Sequence, residues 1–308
     1  MEVAFRIAGI PRTSVACRQF GESSGPTIFR ADKELGWAYV PNAAFRMQFG
    51  PPRWVNVFFD ENGIRVPSEG FHLDPAKPSI LFVGCSYTMG HALFYEETVA
   101  GLIAALPQFQ FQVVNLGVQA YGTDQTLIAL KKYISRFNTK LVVYTFMSAH
   151  VERNVSAVSK PFFELVGDQL VLQKVFEPIH PSWVSSRVIG AIRIMLDSKF
   201  GWFLRSKALT RRLVMEMKKV TEAHGAKFMV IQWLWNNKEN TKDIFKGLDL
   251  DVINTLDGAP PGWGTMFNLY DAHPLPQANA HVAQLLLKRL AEEASGAKPR
   301  VSGVSGTV

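Results

Sequence analysis

The chain has 308 residues, 47% of them hydrophobic and 19% charged, enough apolar material for one large domain or a domain with an appendage. Two cysteines, Cys17 and Cys85, argue against a disulfide framework and against a metal site. The net charge of +7 is dispersed, with Lys207, Arg211, Arg212, Lys218 and Lys219 spaced as the solvated face of one helix. No basic stripe interleaved with aromatics is present, so nucleic acid is not the expected partner.

No run reaches the ~18 to 20 apolar residues of a membrane span. The nearest stretch, Trp183 to Leu204, is broken by Arg187, Arg193, Asp197 and Lys199. The N-terminus shows no long apolar core before a small-residue cleavage site, so a cytoplasmic location is expected, or a periplasmic or secreted one if a leader has been trimmed.

Residues 1 to about 30 have no clear period and include the loop-like Gly21-Glu22-Ser23-Ser24-Gly25-Pro26. From Trp54 to Arg65, aromatic and β-branched residues flank Asn62-Gly63, the pattern of a small hairpin beside the main sheet. An N-terminal extension over 1–76 is therefore expected, followed by a principal domain over 77–296 and a disordered tail over 297–308.

Ile80-Leu81-Phe82-Val83-Gly84 reads as a buried parallel strand that ends in a tight turn. A helix over Glu97–Leu106 follows, then a strand over Phe111–Gly117. Thr123 or Asp124 offers the N-cap of a helix over Gln125–Arg136, with Leu127, Leu130 and Ile134 as its apolar stripe. A third strand covers Leu141–Met147. The rhythm breaks between His150 and Ser206, where Phe162–Leu172 reads as a hairpin around Gly167-Asp168 and Val184–Leu196 as a basic amphipathic helix. This insertion, about 151–205, falls on the rim of the expected site and reads as a lid or recognition element, or as structural elaboration. A helix over Lys207–His224, a strand over Lys227–Leu234, a short strand at Val252–Asn254 and a last helix over Gln277–Ala294 complete the pattern. Strand–helix alternation at this spacing predicts right-handed βαβ units and a parallel sheet.

Ligands of open α/β sheets sit at the carboxyl ends of the strands, where Ser86 emerges one residue beyond a strand-ending turn. A serine is a weak nucleophile without a base. His273, in a loop before the last helix and close to Asp271, is the histidine in the right context. An adjacent carboxylate would hold its tautomer and stabilise the imidazolium. His281 reads as a packing or capping residue of the last helix, and His72, His91, His180 and His224 show no partner pattern.

Gly84-Cys85-Ser86-Tyr87-Thr88, Asn115-Leu116-Gly117 and Asp271-Ala272-His273-Pro274 come in the order of the SGNH (GDSL-type) hydrolases, and the chain resembles that superfamily over roughly residues 78 to 295. The resemblance implies a three-layer α/β/α fold, flavodoxin-like, with about five parallel strands. It implies a serine esterase with Ser86 as nucleophile, His273 as base and Asp271 as its orienting acid, and with neither cofactor nor metal. The oxyanion hole would comprise the Ser86 and Gly117 backbone N–H groups and an Asn side chain after the third strand.

Three departures stand out. Cys85 replaces the Asp that ordinarily precedes the serine. Ser148 or Ala149 occupies the place of the third-block Asn, leaving His150 or Asn154 to turn inward in its stead. Asp271 lies two residues before the histidine rather than three, where Tyr270 stands. This D-x-H spacing resembles a branch that includes bacterial polysaccharide O-acetyltransferases and related esterases, which implies a small acyl group, acetyl on a carbohydrate, as substrate. An acyltransferase acting on a glycan and a catalytically weakened binding protein are the alternatives.

Overall fold

The structure is a computed structural model that describes residues 28–48, 53–107, 110–155, 160–173, 202–269 and 271–295. The N-terminal loop, most of the insertion including the helix expected over Val184–Leu196, and the C-terminal tail lie outside the described residues. Chain order runs β1 (Phe29–Asp32), β2 (Gly36–Tyr39), β3 (Ala44–Gln48), β4 (Trp54–Phe59), β5 (Arg65–Val66), β6 (Pro78–Gly84), α1 (Ser86–Met89), α2 (Val99–Ala104), β7 (Gln112–Gly117) and α3 (Thr123–Tyr133). It continues with β8 (Asn138–Phe146), α4 (Ala149–Arg153), β9 (Phe162–Val166), β10 (Gln169–Gln173), α5 (Trp202–Ala223), β11 (Lys227–Gln232), β12 (Asp251–Asn254) and α6 (Pro276–Ala294).

The main sheet has the order β12-β11-β8-β6-β7-β5-β4-β3. Its first five strands are mutually parallel, matching the expected five-stranded core. Both faces of each central strand are apolar because both are covered. Along β6, Leu81 and Val83 point into one core with Leu127 and Leu130 of α3 and Leu213 and Met217 of α5. Ile80 and Phe82 point into the other, with Ile103 of α2 and Val282 and Leu286 of α6. That two-residue alternation between two helical layers produces the α/β/α sandwich.

The N-terminal strands require a correction. The expected hairpin beside the sheet is part of it: β3, β4 and β5 pair antiparallel, and Arg65 of β5 pairs with Asn115 of β7. They do more than cap an edge. Trp37, Tyr39, Val57 and Phe59 form a third core with Met89 of α1 and Tyr121 after β7. Buried Arg65 reaches across to donate to the carbonyl oxygens of Met89, Gly90 (2.7 Å) and Leu93 (2.6 Å). The N-terminal layer thus holds the loop that carries the serine.

Helix α3 begins at Thr123 rather than being capped by it. Its cap comes from a distant residue, since the Oδ1 of Asn154, just beyond α4, accepts from the Thr123 (2.7 Å) and Asp124 (3.3 Å) N–H groups. The hairpin over 162–173 forms as read, turning at Gly167. No helix among the described residues is long and apolar enough to cross a membrane.

Candidate active site

Ser86 opens α1 directly after β6. The turn demands glycine at position 84, where φ is 153° and a Cβ would lie 2.3 Å from Thr88 Oγ1 and 3.0 Å from the Thr145 carbonyl oxygen. The single helical turn closes at Gly90, and the Ser86 carbonyl accepts from the Gly90 (2.9 Å) and His91 (3.0 Å) N–H groups. The Ser86 N–H, at the start of α1, meets no acceptor among the described residues, as expected of a first-turn donor.

His273 arrives from the loop before α6. That loop folds back on itself, with Asn268 N–H bonding the His273 carbonyl (2.8 Å) and Ala272 N–H bonding the Asn268 carbonyl (2.8 Å). Tyr87, next to the serine, donates to the Ala272 carbonyl at 2.6 Å and receives the Trp235 indole N–H at 3.3 Å. His273 Nε2 consequently stands 2.9 Å from Ser86 Oγ.

The carboxylate Oδ1 of Asp271 lies 3.2 Å from His273 Nδ1. The same oxygen accepts the His273 backbone N–H at 3.1 Å, which draws it out of line for a straight bond to Nδ1. By geometric criteria Nδ1 therefore lacks a hydrogen bond, although the charge contact is close. The structure thus brings Ser86, His273 and Asp271 together.

The expected oxyanion donors fare differently. Gly117 N–H donates to Asn115 Oδ1 at 3.0 Å. Glycine is needed there because a Cβ would lie 2.3 Å from Met89 N, so the residue lets β7 pass against α1. Its backbone donor is already committed. Asn154 is fully buried, its Oδ1 caps α3 and its Nδ2 donates to Thr123 and Thr210 hydroxyls. His150 is likewise buried, stacked on Tyr144 with Nδ1 against the Tyr144 hydroxyl. Both side chains serve the core around α3 and α5. Neither turns toward Ser86.

The structure adds a residue that the sequence did not single out. His91, five residues after Ser86 and 9% exposed, brings Nε2 to 3.3 Å from Asp271 Oδ2. Its ring lies over that of His273 at 4.1 Å, and its Nδ1 meets the Gln119 amide nitrogen. A weak signal was available, since a histidine one helical turn beyond the nucleophile returns to the same end of the sheet. Burial pushes the His91 imidazole down to about 4, offset in part by the Asp271 hydrogen bond and reinforced by His273. For Asp271, burial raises the carboxyl, but the close contacts with His273 (ring and backbone N–H) and with His91 outweigh it and hold the group far below the usual carboxylate range.

Ligand-type atoms of His91, Asp271 and His273 fall within 4.8 Å of one another. Three of the four ring nitrogens are already engaged, however: His273 Nε2 with Ser86, His91 Nδ1 with Gln119 and His91 Nε2 with Asp271. The cluster suits hydrogen bonding better than metal coordination.

No family model matches the sequence, and no curated protein matches it either. Among solved structures, the chain is similar to TesA at 16% identity, covering 69% of this chain and 97% of that one with a TM-score of 0.43. It is also similar to a lipase/acylhydrolase from Enterococcus faecalis (15% identity, 70% and 96% covered, TM-score 0.42). A third is the psychrotrophic esterase EstA from Pseudoalteromonas sp. (13%, 70% and 98%, TM-score 0.40). What the fold and site define by themselves is an α/β protein presenting a serine hydrogen-bonded to a histidine, with an aspartate carboxylate close behind the other ring nitrogen, at the carboxyl end of a parallel sheet.

Proposed function

We propose that the protein is a serine hydrolase of the SGNH type that cleaves carboxylic esters through an acyl-Ser86 intermediate. The observation that carries this reading is the 2.9 Å contact from Ser86 Oγ to His273 Nε2, with Asp271 behind the other ring nitrogen. Ser86 Oγ attacks the ester carbonyl as its proton passes to His273 Nε2. The imidazolium so formed, stabilised by Asp271, returns that proton to the departing alcohol. Water then attacks the acyl carbonyl, giving its proton to His273, and Ser86 leaves with the proton restored.

The Ser86 N–H would supply one oxyanion donor. Ala120, in the loop after β7, adopts a left-handed conformation (φ 64°), and non-glycine residues in that conformation concentrate at functional sites.

For the substrate, we infer a small acyl ester of a carbohydrate. Trp235, 40% exposed, reaches the site through its bond to Tyr87, and the Tyr87 ring lies 5.5 Å from that of His273. An exposed indole beside a nucleophile offers an apolar face to a sugar ring. If a sugar hydroxyl took the place of water in the second step, the same residues would perform acyl transfer.

The test is a fluorophosphonate probe with the adduct located by peptide mass spectrometry, alongside Ser86→Ala and His273→Ala. Adduct on Ser86, lost in both variants, is expected. The committed Gly117 N–H and the inward burial of Asn154 and His150 favour a second reading, a binding protein with weakened catalysis. An unlabelled wild type that still binds acylated sugars would establish that alternative.

A further inference from the structure

A carboxylate that orients a catalytic histidine must itself be held. Asp271 is poorly placed to hold itself: its side chain is 30% exposed, it precedes Ala272 in a left-handed conformation (φ 61°), and its Oδ1 is shared between the His273 backbone and ring. Its other oxygen, Oδ2, faces His91 Nε2. The Gln119 amide NH2 can only donate, so its contact fixes His91 Nδ1 as acceptor and puts the ring proton on Nε2, pointing at the carboxylate. The carboxylate requires the same tautomer independently, since it repels a bare nitrogen lone pair. The Gln119 backbone is fixed in turn, its main-chain carbonyl accepting the Trp37 indole N–H (3.0 Å) and its main-chain N–H donating to the Tyr39 hydroxyl (3.0 Å).

We propose that His91, set in its tautomer by Gln119, is a positioning residue that holds Asp271 against His273, so that the working unit is Ser86–His273–Asp271–His91. The inference rests on the reading of Ser86 as a nucleophile. Its chemistry requires His91 to stay neutral, because a cation on that ring would sit 4.1 Å from the imidazolium that forms on His273 and would draw on the same carboxylate. Among the described residues, the charged and titratable groups facing His91 include Asp271, His273 and Arg65. Arg65 and a protonated His273 oppose charge on His91, whereas Asp271 favours it. Burial decides for the neutral form.

The test uses the full chain as wild type, His91→Gln, His91→Leu and Gln119→Glu. Its readouts are the rate of fluorophosphonate labelling and the hydrolysis of p-nitrophenyl acetate between about pH 5 and about pH 9. Thermal unfolding and imidazole nitrogen NMR accompany them.

In wild type, His91 should show the Nε2–H tautomer. His91→Leu should lower kcat about 10- to 100-fold with KM little changed, as for other groups that orient a reacting residue. His91→Gln, whose amide reaches the Nε2 position, should recover to within about threefold of wild type. Gln119→Glu offers Nδ1 an acceptor and favours the imidazolium, so its activity should fall at acid pH and its acid limb should move upward.

An active wild type whose folded His91→Leu or Gln119→Glu keeps the same rate and pH profile would overturn the proposal alone. So would a His91→Gln that is folded but as slow as His91→Leu, or a wild-type His91 protonated on Nδ1 only. If His91→Leu fails to fold, the Gln and Gln119→Glu variants decide. A wild type that takes no probe on Ser86 overturns this proposal together with the hydrolase reading.

Discussion

Asp271 stands two positions before His273 rather than three, and the local backbone shows how the shorter spacing is accommodated. Ala272 takes a left-handed turn while Tyr87 clamps its carbonyl, so the residues on either side of it bring their side chains together, with His273 facing Ser86. The carboxylate stays ionised throughout the working pH range because the two imidazoles close to it outweigh the effect of burial. Asp271→Asn tests this at nearly constant volume. An amide offers one acceptor oxygen and one donor nitrogen to two histidines that both need acceptors. His273 would then adopt the tautomer with its proton on Nε2, unable to accept from Ser86. We expect a loss of roughly 1,000-fold or more in kcat, in line with the removal of the acid from other such sites, with little change in melting temperature. Steady-state kinetics and calorimetry check both parts. Trp235→Ala probes the substrate instead: KM for an acetylated sugar should rise severalfold while p-nitrophenyl acetate hydrolysis is unchanged, and equal effects on the two would speak against a sugar platform. Ser86, His273 and Asp271 were legible in the sequence because each sits in a short block of distinctive neighbours. His91 and Gln119 were not, since their roles exist only once α1 and the loop after β7 are packed together.

At the scale of elements, the serine turn depends on close backbone approach. The β6–α1 turn and the end of β7 meet through Gly84 and Gly117, and in both cases an added Cβ would strike fixed atoms. Gly117→Ala should therefore cost about 1 to 3 kcal/mol, the usual range for overpacking a tight site. It should also slow Ser86 labelling, because relief requires α1 to move. Urea unfolding and probe kinetics on the same samples test the coupling; destabilisation with unaltered labelling would show that α1 does not carry the strain. The strands and long helices were readable to within a few residues because apolar periodicity depends on local sequence. The start of α3 was misjudged for a physical reason. Thr123 and Asp124 have the chemistry of caps, but Asn154 caps the helix from another element and leaves Asp124 to pair with buried Lys160. A cap supplied from 31 residues away leaves no local signature.

For the whole molecule, the N-terminal layer, the parallel sheet and the site form one connected body. Trp37 and Tyr39 fix Gln119, Gln119 sets His91, and Arg65 anchors the loop between them. The hairpin pattern around Asn62-Gly63 pointed to β4 and β5 but not to β3, and a sequence does not reveal that an antiparallel trio will continue a parallel sheet and reach its active end. The arrangement buries a neutral histidine, which ties stability to pH. Folded His91 titrates at about 4 and an unfolded histidine near its ordinary 6.5. Between these values the unfolded chain binds more protons, so stability is complete above about 6.5 and is lost as pH falls toward 4. The full window corresponds to roughly 3 kcal/mol, of which about 2 kcal/mol is lost by pH 5. His150, also buried and held well below its ordinary value, acts with the same sign. Wild-type unfolding free energy from urea titration should therefore drop between pH 7.5 and pH 5, whereas His91→Gln, with no ring to protonate, should show a drop smaller by about 2 kcal/mol. Equal slopes for the two proteins would mean that the His91 site admits the charged ring, and that the packing of the N-terminal layer against the site does not enforce the neutral form.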